Sequence, residues 1–361
     1  MKQAIRCAIM RGGTSKAVVF SAADLPADPG ARDALILSAF GSPDPRQVDG
    51  LGGADPLTSK VAIVGPASDP DSDVDYTFGQ VGIRSPTVNY AVTCGNTAAA
   101  VALYALQERL VQPVPGRTLV RIHCTNNDRR IQVSVPEACN DAGGSLLHLD
   151  FMDPAGGNTG QLLPSGRPVD EIRTAAGRLV RFSLVDCGNL YAILRADAWS
   201  LSGAETADEL EAMTTLKQEV EEIREAVAAR FLADDAATRP GSRPAARLKV
   251  AIVGPPDRKS VDVVARIINP ERVHQVFAVT GAMCLAAAAS IPGTIVAELA
   301  GGPLPDGRSA FRIGHPKGVI APEIDSSRNS GLPRIRSIRI DRTARRIMDG
   351  IVYIADRGPG Q

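Results

Sequence analysis

Alternating or β-branched apolar residues recur along most of the chain and predict short strands. The predicted strands cover residues 17–20, 61–64, 76–83, 118–123, 132–135, 145–151, 179–184 and 247–253. Residues 207–232 instead place apolar side chains at three- and four-residue steps, the period of an amphipathic helix. Acidic residues crowd the first half of that segment, where the helix dipole favours them. We therefore predict one long scaffold helix lying on a largely β-stranded chain.

Two other segments predict helices that lack a polar face. Residues 96–110 and 282–291 are apolar nearly all round, so each helix has to be enclosed, for instance by a barrel-like sheet. Each follows a strand and a small polar turn, at Thr93-Cys94-Gly95 and at Val279-Thr280-Gly281. The same strand, turn and buried helix thus occur once in each half of the chain. This weak repeat predicts two domains of like architecture, each a sheet wrapped around one central helix.

The length of 361 residues is ample for two domains with a core each. The 40 Lys and Arg balance the 40 Asp and Glu, so no overall charge favours a nucleic acid or a membrane as partner. The chain starts without a signal-peptide pattern, and its longest apolar run, 283–291, is far shorter than the roughly 20 residues of a membrane span. We expect a cytoplasmic protein. The sequence leaves its oligomeric state open, and a homodimer is one of the possibilities.

The cysteines show no C-x-x-C pair, and the histidines show no metal-ligand spacing, so we expect reduced thiols and no metal site. Cys94 stands apart because it lies at the predicted start of an apolar helix, where the helix dipole stabilises a thiolate. A buried, inert thiol is the commoner fate of a single cysteine, and it is our interpretation of Cys284, inside the second helix. The remaining cysteines are Cys7, Cys124, Cys139 and Cys187.

Several short segments could bind a carboxylate. Helix starts present unpaired N–H groups, glycines let a ligand approach the backbone, and hydroxyls and cations hold carboxylate oxygens. The alternatives are ordinary helix capping and solvated turns. The candidates are Arg11, Gly12, Gly13, Thr14 and Ser15; Ser59; Gly95, Asn96 and Thr97; Thr280, Gly281, Ala282 and Met283; and His315 and Lys317. Lys60 ends a glycine-containing loop between apolar flanks, where shielding from water lets a lysine act as a base.

Nine ordered motifs carry a resemblance to a known family. They are M-R-G-G-T-S-K at 10–16, G-S-P-D-P-R-Q-V-D-G-L-G-G at 41–53, T-S-K-V-A-I at 58–63, D-V-D-Y-T-F-G-Q-V at 73–81, C-G-N at 94–96, F-A-V-T-G-A at 277–282, I-P-G-T at 291–294, G-H-P-K-G at 314–318 and R-T-A-R-R-I-M-D-G at 342–350. Together they resemble the PrpF family of allylic isomerases, which shares the fold of diaminopimelate epimerase. The resemblance implies an α+β chain of two similar epimerase-like domains, 1–144 with 343–361 and 145–342. Each would be a mostly antiparallel barrel-like sheet around a central helix, with the active site in the cleft between them.

The resemblance also implies a cofactor-independent isomerase that moves a double bond in a small unsaturated di- or tricarboxylate. 4-Oxalomesaconate, 2-methylaconitate and aconitate are such substrates, and the acid/base pair of the family falls on Lys60 and Cys94. The epimerases use a thiol at each helix start, whereas the second start here offers Thr280, which favours a 1,3-proton shift over racemisation. An accessory protein for an aconitase-like hydratase and an amino-acid racemase are the alternatives. The order of proton transfers and the choice between positional and cis–trans isomerisation stay open.

Overall fold

The computed structural model describes residues 3–137, 145–232, 244–269, 272–328 and 331–354. The chain forms two compact units, Met1–Asp150 with Asp341–Gln361, and Phe151–Ile340. The predicted domain boundaries, at 144 and 343, lie close to the boundaries of these units. Cys139 lies outside the described residues, as do the last residues of the predicted first domain.

The sheet of the first unit closes on itself. Neighbouring strands follow the order β1-β2-β3-β4-β6-β7-β8-β18, and β18 pairs in turn with β1, so eight strands form a ring. The strands are β1 (Gln3–Gly12), β2 (Ser15–Ser21), β3 (Lys60–Pro66), β4 (Val74–Val81), β5 (Val88–Asn89), β6 (Arg117–Cys124), β7 (Arg129–Pro136), β8 (Ser145–Met152) and β18 (Arg334–Ile354). Most pairs are antiparallel, whereas β2 with β3 and β4 with β6 are parallel.

Two helices pack on this sheet. Helix α2 (Gly95–Gln107) contacts β1, β2, β3, β4, β6 and β7, and residues 95–105 are buried, as a helix without a polar face requires. Helix α1 (Pro29–Phe40) was not predicted, although its boundary signals are present in the sequence. Asp28 caps its first turn by accepting from the Ala31 amide (2.7 Å), and Gly41, with a φ of 71°, ends it.

The second unit contains a seven-stranded sheet in the order β16-β15-β13-β12-β11-β10-β9. The first half of β18 pairs with β17 in this unit, and β17 pairs with β14. The strands are β9 (Asp170–Arg173), β10 (Leu179–Cys187), β11 (Asn189–Arg195), β12 (Leu248–Gly254), β13 (Val263–Ile268), β14 (Gly307–Ala310), β15 (Ile313–His315), β16 (Gly318–Ile320) and β17 (Glu323–Ser327). The helices are α3 (Ala207–Ala212), α4 (Thr214–Phe231), α5 (Val279–Ser290) and α6 (Ile295–Leu299).

The two units repeat one order of pairings. An antiparallel hairpin, a parallel pair and an antiparallel pair precede the apolar helix, as β1-β2-β3-β4 before α2 and as β10-β11-β12-β13 before α5. Every residue of α5 is buried. These observations support the sequence repeat. The arrangement of two like domains, each around a central helix, stays a prediction.

The prediction of a single helix over 207–232 is wrong, because the chain leaves the helical conformation at Met213 (φ −83°, ψ 73°). The β-branched Thr214 and Thr215 follow the break, and such residues have low helix propensity. The Glu211 carboxylate also accepts from the Val273 amide (2.7 Å), which anchors the break to a distant segment. None of the described helices combines the length and apolar character needed to cross a membrane.

A histidine between two aspartates lies at the end of β6. The His123 ring approaches Asp75 through Nδ1 and Asp128 through Nε2, at 2.9 Å each. Partial burial alone would lower the pKa of His123. The hydrogen bonds and charges of the two aspartates outweigh burial and raise this pKa above 6.5. The folded state therefore favours the imidazolium.

A raised folded-state pKa stabilises the protein fully below the unfolded pKa, about 6.5, and this stabilisation is lost as the pH rises through the raised value. We expect His123→Gln to lower the free energy of unfolding by up to about 1 kcal/mol near pH 5.5, and by less near pH 8.5. Urea denaturation at both pH values measures the difference. Arg121→Gln, which removes an ion pair with Asp73 on the same strand, is the control and should act equally at both. An equal loss at both pH values for His123→Gln would contradict this assignment.

Candidate active site

A row of side chains on β3 and β4 reaches the start of α2. Side chains alternate between the faces of a strand, and Val61 and Ile63 pack on the α1 side, so Lys60 lies on the opposite face. Lys60 is directly opposite Gln80 in the antiparallel register. Phe78 and Tyr76 follow on the same face of β4, at steps of two residues. Because side chains alternate between the two faces of β3 and β4, the buried Lys60 lies on the same face as the row of β4 side chains that leads to the start of α2.

Lys60 is only 8% exposed and donates from Nζ to Gln80 Oε1 at 2.7 Å. Its Nζ also lies 5.1 Å from the centre of the Phe78 ring. Gln80 Nε2 donates to the Pro56 and Ser59 carbonyls, which turns its oxygen toward the ammonium. Burial lowers the pKa of Lys60, against the opposing effect of the negative charges of Cys94 and Asp55. Lys60 therefore loses its proton more readily in this site than a lysine in water does.

Cys94 is the N-cap residue of α2, with an extended backbone and no capping bond from its side chain. The Tyr76 hydroxyl donates to its carbonyl at 3.3 Å, which ties the helix start to the row on β4. Cys94 is partly exposed, while the other described cysteines, Cys7, Cys124, Cys187 and Cys284, are buried. Burial raises the pKa of Cys124 to about 12 and raises that of Cys284 well above its usual value. Cys284 is buried in the helix interior, as predicted, and its lack of reactivity stays a prediction.

The hairpin tip between β1 and β2 contacts the first turn of α2. A Cβ on Gly12 would lie 2.0 Å from the Asn96 carbonyl oxygen, so only glycine fits there. Gly13 has a φ of 51°, a conformation that favours glycine. The Asn96 amide donates to the hydroxyls of Thr14 (3.0 Å) and Ser15 (3.4 Å). These glycines and hydroxyls, predicted as ligand contacts, thus surround the residue that follows Cys94-Gly95.

Sequence reasoning missed Arg342 as a site residue. Arg342 is partly buried on β18, and its Nε donates to Asn96 Oδ1 at 2.9 Å. Burial lowers its pKa to about 10, against the opposing charges of Asp341 and Cys94. The motif at 342–350 was the available signal, but nothing local in an arginine-rich strand distinguishes this arginine from its neighbours.

The remaining candidates of the first unit lie around the same helix start and the loop before β3. Arg11 donates to the Thr343 hydroxyl (2.8 Å) and to the Gly13 carbonyl (3.1 Å), and so supports the hairpin tip. Thr97 is buried beside Tyr76. Ser59 is fully buried and donates to Gln47 Oε1 at 2.6 Å, which fixes the loop that carries Lys60. Substrate binding by these residues stays a prediction.

The second unit has a similar arrangement at α5. The hairpin tip between β10 and β11 contacts the helix start, where Asn189 Nδ2 donates to the Thr280 hydroxyl at 3.1 Å. A Cβ on Gly188, whose φ is 77°, would lie 3.0 Å from Met283 Cε. Gly281 is packed closely against Tyr191, Phe277 and Ile267, and Ala282 is fully buried.

The helix starts differ in one chemically decisive position. Helix α5 begins at Val279, three residues before its predicted start, and its N-cap residue is Ala278. By helix position, Ala278 therefore corresponds to Cys94, and Thr280 corresponds to Asn96. The prediction that Thr280 occupies the place of the second thiol is corrected in register. An alanine stands there, and a methyl group carries no proton chemistry.

Lys317 lies in the turn between β15 and β16, as predicted, whereas His315 is the last residue of β15. The Lys317 amide hydrogen-bonds to His315 Nδ1 at 3.3 Å, and the Lys317 side chain is exposed. The buried Arg266 donates to the Gly314 carbonyl at 3.3 Å and steadies this hairpin. Carboxylate binding by His315 and Lys317 stays a prediction.

The contact between Gly12 and α2 makes a stability prediction. We expect Gly12→Ala to destabilise the protein by about 1–3 kcal/mol, because the new methyl group would overlap the Asn96 carbonyl. Chemical denaturation measures the change. Gly350→Ala on β18 is the matched control, since its Cβ would meet only the flexible end of Met348, at 3.3 Å. Equal stability of the two variants would show that the hairpin tip yields freely.

The exposure of the thiols predicts their order of modification. In a Cys139→Ser background, iodoacetamide should alkylate Cys94 before Cys7, Cys124, Cys187 or Cys284, because burial shields the other thiols. Mass spectrometry of peptides from the native protein, quenched over time, gives the order. Cys94→Ala in the same background should abolish the fast phase. A fast phase that survives this substitution would contradict the assignment.

Comparison with known proteins adds to this geometry. The family model described as PrpF protein matches residues 2–355. The chain is 37% identical to 3-methylitaconate isomerase of Eubacterium barkeri, over 97% of each chain. It is 38% identical to (4E)-oxalomesaconate Delta-isomerase of Novosphingobium sp. (strain KA1), over 96% of this chain and 97% of that one.

Two solved structures resemble the fold. The crystal structure of methylitaconate-delta-isomerase matches with a TM-score of 0.73 at 35% identity, over 100% of both chains. A hydroxyproline epimerase from Agrobacterium vitis matches with a TM-score of 0.62 at 15% identity, over 99% of this chain and 95% of that one. The second match is one of fold alone, and it places this mixed α/β chain among proline racemase and epimerase-like folds.

Proposed function

The chain belongs to the PrpF family, as its motifs predicted, and we propose that it is a cofactor-independent isomerase of a small unsaturated di- or tricarboxylate. The reaction moves a double bond by a 1,3-proton shift, with Lys60 and Cys94 as the acid/base pair. The observation that carries this proposal is a buried lysine, its pKa lowered, on the strand pair whose Tyr76 contacts Cys94, the half-buried N-cap residue of an apolar helix. 3-Methylitaconate and 4-oxalomesaconate are the first substrates to test, since the relatives are named for such acids.

Lys60 is suited to take or return a proton at carbon. Its lowered pKa increases the neutral fraction that can act as a base, and Gln80 holds the Nζ atom in a fixed direction. In the proposed step a C–H bond next to the double bond breaks and its electron pair forms the new C=C bond. The electrons of the old double bond pass to the conjugated carboxylate, which gives a dienolate.

Cys94 completes the shift at the other end of the three-carbon unit. One group of the pair holds the abstracted proton, and the other supplies a proton to the far carbon, which restores the carboxylate. Transfer between Lys60 and Cys94, directly or through water, returns both groups to their starting states. The N–H groups at the start of α2 would stabilise the dienolate charge. We also propose that the two units are like domains, each with one sheet around one apolar helix.

A racemase is the less favoured candidate. Exchange of a proton across the two faces of one carbon needs an acid and a base on opposite sides, and the epimerases use two thiols. The N-cap position of α5 holds Ala278, and the nearest cysteine in that helix, Cys284, is buried with its thiol against the carbonyls of Val185 and Asn189. An accessory, non-catalytic role predicts binding without exchange.

Incubation of 3-methylitaconate and 4-oxalomesaconate with the protein in D₂O, followed by NMR, tests the proposal. We expect deuterium to enter the allylic position, and Lys60→Ala and Cys94→Ala each to slow turnover by about 10²- to 10⁴-fold. Lys259→Ala, on an exposed loop, and Cys7→Ala, in the core, are the matched controls and should keep the wild-type rate.

Three results would count against the proposal. Turnover that survives both active-site substitutions would remove Lys60 and Cys94 from the chemistry. Deuterium at the α-carbon of an amino acid would point to racemisation, and tight binding of these acids without exchange would point to an accessory role.

A further inference from the structure

Arg342 is the candidate site residue whose role the proton chemistry leaves unassigned. It lies 246 positions after Asn96 in the chain, yet its Nε donates to Asn96 Oδ1 at 2.9 Å. Asn96 and Arg342 fill the space in which a side chain at position 13 would lie. Arg342 Cδ is 2.9 Å from the position that a Cβ on Gly13 would take. The arginine is thus packed into the helix start rather than extended into solvent.

The guanidinium is held by two of its three nitrogens. Besides the bond from Nε, Nη1 donates to the Asp341 carbonyl at 2.7 Å. The Asn96 amide cannot turn over without losing bonds, because its Nδ2 donates to Thr14 and Ser15. Among the residues that the structure describes, Nη2 forms no hydrogen bond. Arg342 therefore presents one fixed and unused edge.

In the described part of the chain, Arg342 also lacks a carboxylate within ion-pair distance, although the charge of Asp341 acts on it. The neighbouring Asp341 carboxylate is engaged by His148, at 2.6 Å, and the described part of the chain gives Arg342 no ion pair. A partly buried cation without an ion-pair partner is unfavourable, and an anion bound beside it recovers part of that energy. Asn96, which the guanidinium contacts, lies in the first turn of α2, two residues after Cys94. An anion bound at Arg342 would therefore lie near the helix start that carries the thiol.

We propose that Arg342 binds one carboxylate of the substrate through its free edge and so sets the reacting carbons against Cys94. The inference rests on the proposed function, because it assigns the group that recognises the acid. A guanidinium suits this task better than a lysine, since it forms directed hydrogen bonds and keeps its proton while Lys60 exchanges one. Asn96, Thr14 and Ser15 act as positioning residues for this cation.

Binding of tricarballylate, a saturated tricarboxylate that cannot isomerise, tests the inference without turnover. By calorimetry we expect Arg342→Met to weaken binding by about 10- to 100-fold, the effect of losing a hydrogen bond to a charged group. Arg342→Lys should keep part of the affinity. Arg345→Gln, three positions along the same strand, is the matched control and should bind as the wild type does. Melting temperatures identify any variant that fails to fold.

If Arg342 had only a structural role, the affinity for tricarballylate would not depend on the charge at this position. Equal affinities of the Met and Lys variants, at equal melting temperatures, would therefore overturn the inference. Wild-type affinity in Arg342→Met, or no binding by the wild type, would overturn it as well. The two proposals fail separately. Arg342-dependent binding without deuterium exchange would refute the isomerase and leave the carboxylate site in place. If Arg342→Met instead exchanged deuterium at the wild-type rate and bound tricarballylate with wild-type affinity, the carboxylate role of Arg342 would be refuted and the isomerase would stand.

Discussion

The close contact between the β1–β2 hairpin tip and the first turn of α2 is the constraint on which the site depends. Gly12 leaves room for the Asn96 carbonyl, and Gly13 leaves room for the Asn96 and Arg342 side chains. Without that approach the hydroxyls of Thr14 and Ser15 could not fix the Asn96 amide. A helix of small side chains makes the approach possible, because alanines let strands lie close on every side. Packing of an apolar helix and assembly of a polar site are therefore one requirement.

The parts of the site that could be predicted are those with local signals. Cys94 was marked by its place between a strand and an apolar helix, and Lys60 by its glycine-containing loop and apolar flanks. Arg342 was missed because its role arises from a pairing across most of the chain, and a β-strand rich in arginine has no pattern that singles out one of them. The loop contact from Ser59 to Gln47 was hidden for the same reason: only the fold brings the two together.

Errors in helix boundaries had chemical consequences here. Periodicity alone joined α3 and α4, since the apolar spacing continues through the break at Met213, beside which Glu211 accepts from the distant Val273 amide. The apolar run at 282–291 placed the start of α5 three residues late, and so put Thr280 in the turn before the helix. The N-cap position belongs to Ala278 instead. That register matters more than the boundary itself, because it decides which residue corresponds to Cys94 and therefore whether a two-thiol reaction has a second thiol.

Lys60 and Arg342 both lie near Cys94, and they differ in how readily they lose a proton. Burial lowers the pKa of both, yet the pKa of Arg342 remains about 10, so the guanidinium stays charged at neutral pH. Lys60 starts from a lower value, and the same physical effect increases its neutral fraction. In the proposed reaction, an arginine that keeps its proton can therefore hold the acid in place while Lys60 exchanges a proton.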